Sequence, residues 1–102
     1  MRIEASSTYR RWMRNLRDTR AKMRINARIA QMQHHGALFG DWKPLDHDLI
    51  ELRFHFGPGY RIYASLQGSE LLLLVAAGDK TSQARDIAQA RTILNEWRKN
   101  HD

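Results

Sequence analysis

The chain has 102 residues, no cysteine and a formal net charge of +6, which is the size of one domain around one hydrophobic core. The missing cysteine excludes disulfides, thiolate metal sites and cysteine nucleophiles, and the composition suits a reducing cytoplasm. The longest apolar run, Leu71 to Ala77, is far short of the roughly 20 residues of a membrane helix, and the N-terminus has no apolar leader-like stretch, so a soluble, cytoplasmic domain spanning residues 1–102 with no membrane contact is expected.

Residues 2–6, RIEAS, read as a short strand. Ser6 or Ser7 then offers a hydroxyl cap to a helix carrying Trp12, Met13 and Leu16. Asp18 is a second cap. It starts a helix whose apolar stripe is Ala21, Ile25, Ile29 and Met32, and Gly36 is placed to end it. Residues 1–36 hold nine Arg or Lys against two Asp or Glu, whereas the remainder holds eight against nine, so the whole excess of charge belongs to these two helices. Their arginines are expected to point outward. Two readings are open: a solvated helix surface, or an electrostatic footprint for a phosphate-rich partner, which the preponderance of arginine favours.

The segment ALFGDWKPLDHD, residues 37–48, is rich in turn formers and reads as an ordered loop anchored by Leu38, Phe39 and Trp42. Strict alternation follows. Leu52, Phe54 and Phe56 fall on one face of a strand and Glu51, Arg53 and His55 on the other; beyond Gly57-Pro58-Gly59, Tyr60, Ile62, Ala64 and Leu66 alternate with Arg61, Tyr63 and Ser65. The unbroken run from Leu71 to Ala77 suits a strand covered on both faces. Thr81 or Ser82 would cap a last helix with a buried stripe of Ile87, Ala90, Leu94 and Trp97. The order is β-α-α-β-β-β-α, an α+β fold in which a helical hairpin and a C-terminal helix pack with a small, mostly antiparallel sheet.

A three-residue loop at Gly57-Pro58-Gly59 would set His55 opposite Arg61 and Arg53 opposite Tyr63, gathering two guanidiniums, an imidazole and a phenol on the non-core face. Either Glu51 or an acidic loop residue neutralises these arginines as an ordinary surface network, or the cluster holds a phosphate. Other groupings are weaker. His34 and His35 are adjacent and diverge on a helix, and Asp46-His47-Asp48 would place consecutive side chains apart rather than around a metal. No nucleophile elbow and no phosphate loop is present. Trp12, Trp42 and Trp97 are expected in the core.

ELRFHFGPGYRIY followed by LLLLVAAGDKTSQARDIAQA resembles the RelE/ParE toxin superfamily, specifically its HigB-like addiction module killer protein branch. The upstream WxxxLRD, IxxRIxxM and GDWKPL segments fit as well, so the resemblance spans essentially the whole chain. It implies a RelE-like fold and the toxin of a bacterial toxin–antitoxin pair, neutralised by a cognate antitoxin, commonly of helix-turn-helix type. It further implies a metal-independent, ribosome-dependent endoribonuclease that cleaves mRNA by attack of the ribose 2′-OH on the adjacent phosphate, with no cofactor. Carried over, Arg61 serves the transition-state phosphate, Arg53 the substrate backbone, and Lys80 charge stabilisation or removal of the 2′-OH proton. Lys43 and Gln83 join these three as RNA contacts. The final segment lacks the tyrosine of RelE-type enzymes, so His55 or Tyr63 would have to protonate the leaving 5′ oxygen. Alternatives are a ParE-like, non-enzymatic DNA gyrase inhibitor and a degenerate toxin that keeps only its antitoxin contact.

Overall fold

The computed structural model describes residues 1–46 and 48–101. Its elements are β1 (Arg2–Ala5), α1 (Ser7–Asn15), α2 (Thr19–His35), β2 (Trp42–Pro44), β3 (Ile50–Arg53), β4 (Tyr60–Gln67), β5 (Leu71–Asp79), a 3₁₀ turn (Lys80–Ser82) and α3 (Gln83–His101). This is an α+β architecture built on one mixed sheet of order β1-β5-β4-β3-β2. β1 runs parallel to β5 and the remaining pairs are antiparallel. One strand is additional to the sequence expectation: part of the expected loop is β2, with Lys43 opposite Glu51 and Pro44 opposite Ile50. A proline is tolerated there because β2 is an edge strand that needs fewer donors.

The helix boundaries follow local chemistry. Ser6 Oγ accepts from the Tyr9 amide at 3.0 Å, Asp18 Oδ1 from the Ala21 amide at 3.0 Å, and Gly36 ends α2 in the left-handed conformation at φ 72°. α3 is entered through a 3₁₀ turn that the sequence did not suggest. Asp79 caps that turn: its carboxylate accepts from the Thr81 amide at 2.8 Å and forms a reciprocal capping box with Ser82, which directly precedes α3.

Two cores result, one on each face of the sheet. Ala21, Ile25 and Met32 of α2 pack with Leu52, Ile62, Ala64, Leu72 and Leu74 on one side. On the other, Ala90 and Leu94 of α3 cover Leu49, Tyr63, Leu73, Val75 and Ala76. Each large side chain fully withdrawn from water on these faces contributes about 1.5–3 kcal/mol. β5 is covered on both faces, as its apolar run suggests. So is β4, and this corrects the idea of a half-buried strand: the Arg61, Tyr63 and Ser65 face lies under α3 and is buried.

A bulge in β5 helps make this possible. Tyr63 pairs with Ala76 but Ala64 pairs with Leu74, leaving Val75 as an extra residue. Three further expectations change. Arg28 does not point outward: it is only 8% exposed. Trp42, expected in the core, is 40% exposed on its edge strand. Phe39 is also exposed, so the loop is held at that point by its backbone rather than by its ring.

Candidate functional site

The hairpin between β3 and β4 is longer than a three-residue loop. Arg53 lies opposite Arg61 and Glu51 opposite Tyr63, and the Phe54 amide donates to the Tyr60 carbonyl at 3.0 Å. The loop therefore runs from His55 to Gly59, tightened by a bond from the Gly59 amide to the Phe56 carbonyl at 3.1 Å. The expected His55–Arg61 and Arg53–Tyr63 pairings are thus displaced by two residues. Because the slip is by an even number, each side chain keeps its face. The two arginines end up directly opposed.

Opposed guanidiniums require an anion, and Glu51 supplies part of it. It is 1% exposed, its Oε1 is 3.4 Å from Arg53 Nε, and its Oε2 accepts from Gln83 Nε2 at 2.6 Å. Gln83 begins α3, so this bond fixes the helix start over the arginine pair. Arg61 is only 9% exposed, yet its Nε and Nη1 are buried with no hydrogen-bond partner. On the far side Arg61 faces Gly78, where a side chain would overlap the Asp86 carboxylate and come within 2.6 Å of Ser82 Oγ. Asp86 itself is buried and accepts from Ser82 at 2.5 Å.

Arg61 lines a cleft of about 480 Å³ with His55, Phe56, the Gly57-Pro58-Gly59 turn, Lys80 and Thr81. Gly59 is needed here twice over. Its φ is 78°, and a side chain at this position would meet Lys80 Cγ at 2.8 Å, so the aliphatic stem of Lys80 lies across the turn. Arg61, Lys80 and His55, three residues singled out in the sequence, thus share one concavity. His55 pairs with Asp41. That carboxyl titrates below its ordinary range, chiefly through the His55 bond, against an opposing effect of desolvation and with lesser help from each of the Arg53, His55 and Arg28 charges.

Arg53 is half-buried at the end of β3 beside this cleft, tied to Glu51. Lys43 sits exposed on β2, in the same cross-strand row as Glu51 and Tyr63. Gln83 is committed to Glu51. Tyr63 does not reach the cleft. Its ring belongs to the core beneath α3 and its hydroxyl is buried without a partner. Burial first, then the Glu51 and Asp86 charges, pushes its ionisation well above the usual range. Of the two residues expected to donate a proton, His55 lines the cleft and Tyr63 does not.

Of the weaker groupings, His47 lies outside the described residues. Its neighbours are engaged elsewhere: Asp46 accepts from the Asp48 and Leu49 amides and pairs with Arg91, and Asp48 pairs with Arg98 at 3.2 Å, fastening the loop to α3. His34 and His35 lie at the exposed end of α2. Asp41, one of the acidic loop residues the sequence offered for neutralising this cluster, holds His55. The position of Asp86 against Gly78 was missed by sequence reasoning, since the period of α3 says nothing of what its first turn meets on β5. Among the described residues no helix is long and apolar enough to cross a membrane.

No family model matches the chain, and no solved structure matches it. It is 38% identical over 96 residues to an uncharacterized protein of Haemophilus influenzae, an alignment that covers 94% of this chain and 95% of the relative. The chain belongs to the family of that protein.

Proposed function

We propose that this protein is the toxin of a bacterial toxin–antitoxin pair with a RelE-like fold, and that it cleaves mRNA on the ribosome without a metal. The observation that carries this reading is Arg61: a nine-tenths buried guanidinium with two unpartnered nitrogens, lining a cleft whose mouth holds Lys80 and His55. A buried, permanently charged group with unpartnered donors is costly unless an anion compensates it, and a phosphodiester supplies that charge together with strong acceptor oxygens. The order of elements agrees with the motif resemblance described above, with β2 as an added edge strand.

In this reading the ribose 2′-oxygen attacks phosphorus and its proton passes to Lys80 or to water. Arg61 takes the charge that builds on the equatorial oxygens. His55, oriented by Asp41, protonates the 5′ oxygen as the phosphorus–oxygen bond breaks, leaving a 2′,3′-cyclic phosphate and a 5′-hydroxyl. Arg53, opposite Arg61, and Lys43, exposed on β2, are assigned to flanking phosphates, while Gln83 acts through Glu51 on Arg53. A cognate antitoxin of helix-turn-helix type is the proposed partner that silences the activity.

Expression of wild type and Arg61→Ala in a bacterium tests the reading, with RNA 5′ ends and plasmid supercoiling mapped in parallel. New ends inside translated messages, lost in Arg61→Ala, are expected. A supercoiling defect with intact messages would overturn the nuclease in favour of a gyrase inhibitor, and neither effect would leave a domain that only binds its antitoxin.

A further inference from the structure

A groove of about 720 Å³ lies away from the Arg61 cleft, between α1 and the start of α3. Its origin is a mismatch of strand lengths. β5 runs from Leu71 to Asp79, but β1 pairs only with Leu71 to Leu74. Ser6 ends that pairing: its amide donates to the Leu74 carbonyl at 2.9 Å, its hydroxyl donates to the Val75 carbonyl at 2.5 Å, and the same oxygen caps α1. The chain turns away into α1, and among the described residues no strand pairs with this edge of β5 beyond Leu74. The helical layers on the two faces of the sheet then stand on either side of the open edge, Thr8, Arg11, Trp12 and Asn15 from one and Arg85 and Gln89 from the other, with Ala77 as the floor.

Along a strand, the face a side chain takes and the edge its backbone groups take are coupled. The Leu74 carbonyl bonds toward β1 while the Leu74 side chain lies in the core under the helical hairpin. After the bulge Ala77 resumes that same face. Its amide and carbonyl therefore look into the groove. The rim is cationic: Arg11 and Arg17 have exposed side chains, and Arg85, also exposed, is 3.7 Å from the Asp86 carboxylate.

We propose that this groove receives an extended, acidic segment of a partner protein, which adds to the sheet as a strand continuing the line of β1. Ala77 supplies the backbone pairing, Trp12 and Leu16 accept apolar side chains from alternate positions of the segment, and Arg11, Arg17 and Arg85 pair with its carboxylates. The proposal stands on the open strand edge and its charge, and does not depend on the nuclease reading.

A random 12-residue peptide library panned on the wild-type protein tests it, with depletion on the Arg11→Glu/Arg17→Glu/Arg85→Glu variant. The enriched peptides are expected to carry Asp or Glu at alternate positions. A synthetic copy should lose at least tenfold in affinity against the triple variant, and a similar factor when a central residue is replaced by proline. Amide exchange of the wild type should slow at residues 76–78 when that peptide binds, a readout that needs no variant to fold. Failure to enrich acidic peptides, affinity indifferent to charge reversal, or protection elsewhere would overturn the proposal. So would slowing of residues 76–78 by a 12-nucleotide single-stranded RNA and not by any peptide, which would make the groove a nucleic-acid surface.

Discussion

Arg28 and Arg61 are buried to the same degree, 8% and 9% exposed, on opposite sides of the sheet, and they differ in everything else. Arg28 donates from Nε to the Phe39 carbonyl at 2.7 Å, from Nη1 to the Arg53 carbonyl at 2.6 Å and from Nη2 to the Asp41 carbonyl at 2.7 Å. Its guanidinium also lies 4.6 Å from the Phe54 ring centroid. Burial lowers its proton affinity and the Asp41 charge partly restores it. Arg61 leaves Nε and Nη1 unpartnered. Burial alone does not separate an arginine that builds the fold from one that awaits an anion; the accounting of donors does.

Replacing Arg28 with methionine should have the largest effect on stability, because it strands the Phe39 and Arg53 carbonyls and leaves the Asp41 carbonyl with the Arg53 amide alone. At about 1–3 kcal/mol for each of these two groups left unpaired, a loss of at least about 2 kcal/mol is expected in urea unfolding, together with loosening of residues 39–41. A change below about 1 kcal/mol would show that water replaces the guanidinium freely, and the contrast with Arg61 would fail. Gly78→Ala comes next. The added methyl meets Asp86, which is buried and bonded to Ser82, so a cost of about 1–3 kcal/mol from overpacking is expected.

Arg61→Met should change stability by less than about 1 kcal/mol, or raise it, since an incompletely paired buried charge is exchanged for an apolar chain. The same substitution should abolish RNA cleavage in the assay described above. Stability lost in Arg28→Met and activity lost in Arg61→Met, each without the other at Arg61, would fix the distinction. A destabilised Arg61→Met would instead make Arg61 a second structural arginine.

Much of this arrangement was legible in the sequence. Alternation assigned β3 and β4 to their faces, caps at Ser6, Asp18 and Gly36 set the helices, and the resemblance of motifs singled out Arg61 and Lys80, which do meet in one cleft. The register was not legible, since GPG suggests a three-residue loop while the chain closes at Phe54 and Tyr60. Nor was the burial of Arg28. It occupies the turn between Ile25 and Ile29 on the α2 stripe, where periodicity alone would place an apolar residue and a count of basic residues placed a surface charge. What decides it is the set of carbonyls presented by residues 39, 41 and 53, an object that exists only after the sheet has formed.

The smallest expected effect sharpens the same comparison through pH. Asp79 caps the turn that carries Lys80 to Arg61. The Thr81 hydroxyl and amide hold its carboxyl below the ordinary value of 3.8, against a smaller desolvation effect. A carboxyl depressed in the folded state contributes stability that is present above its unfolded value and is lost as pH falls through the folded one. Asp79→Asn keeps an oxygen to accept the Thr81 amide but removes the titration. Unfolding free energy followed from pH 6 downward should therefore fall less steeply below about pH 4 in the variant than in wild type. The difference should be under about 1 kcal/mol, because the carboxylate is largely hydrated. Equal slopes would mean that the cap holds by hydrogen bonding alone.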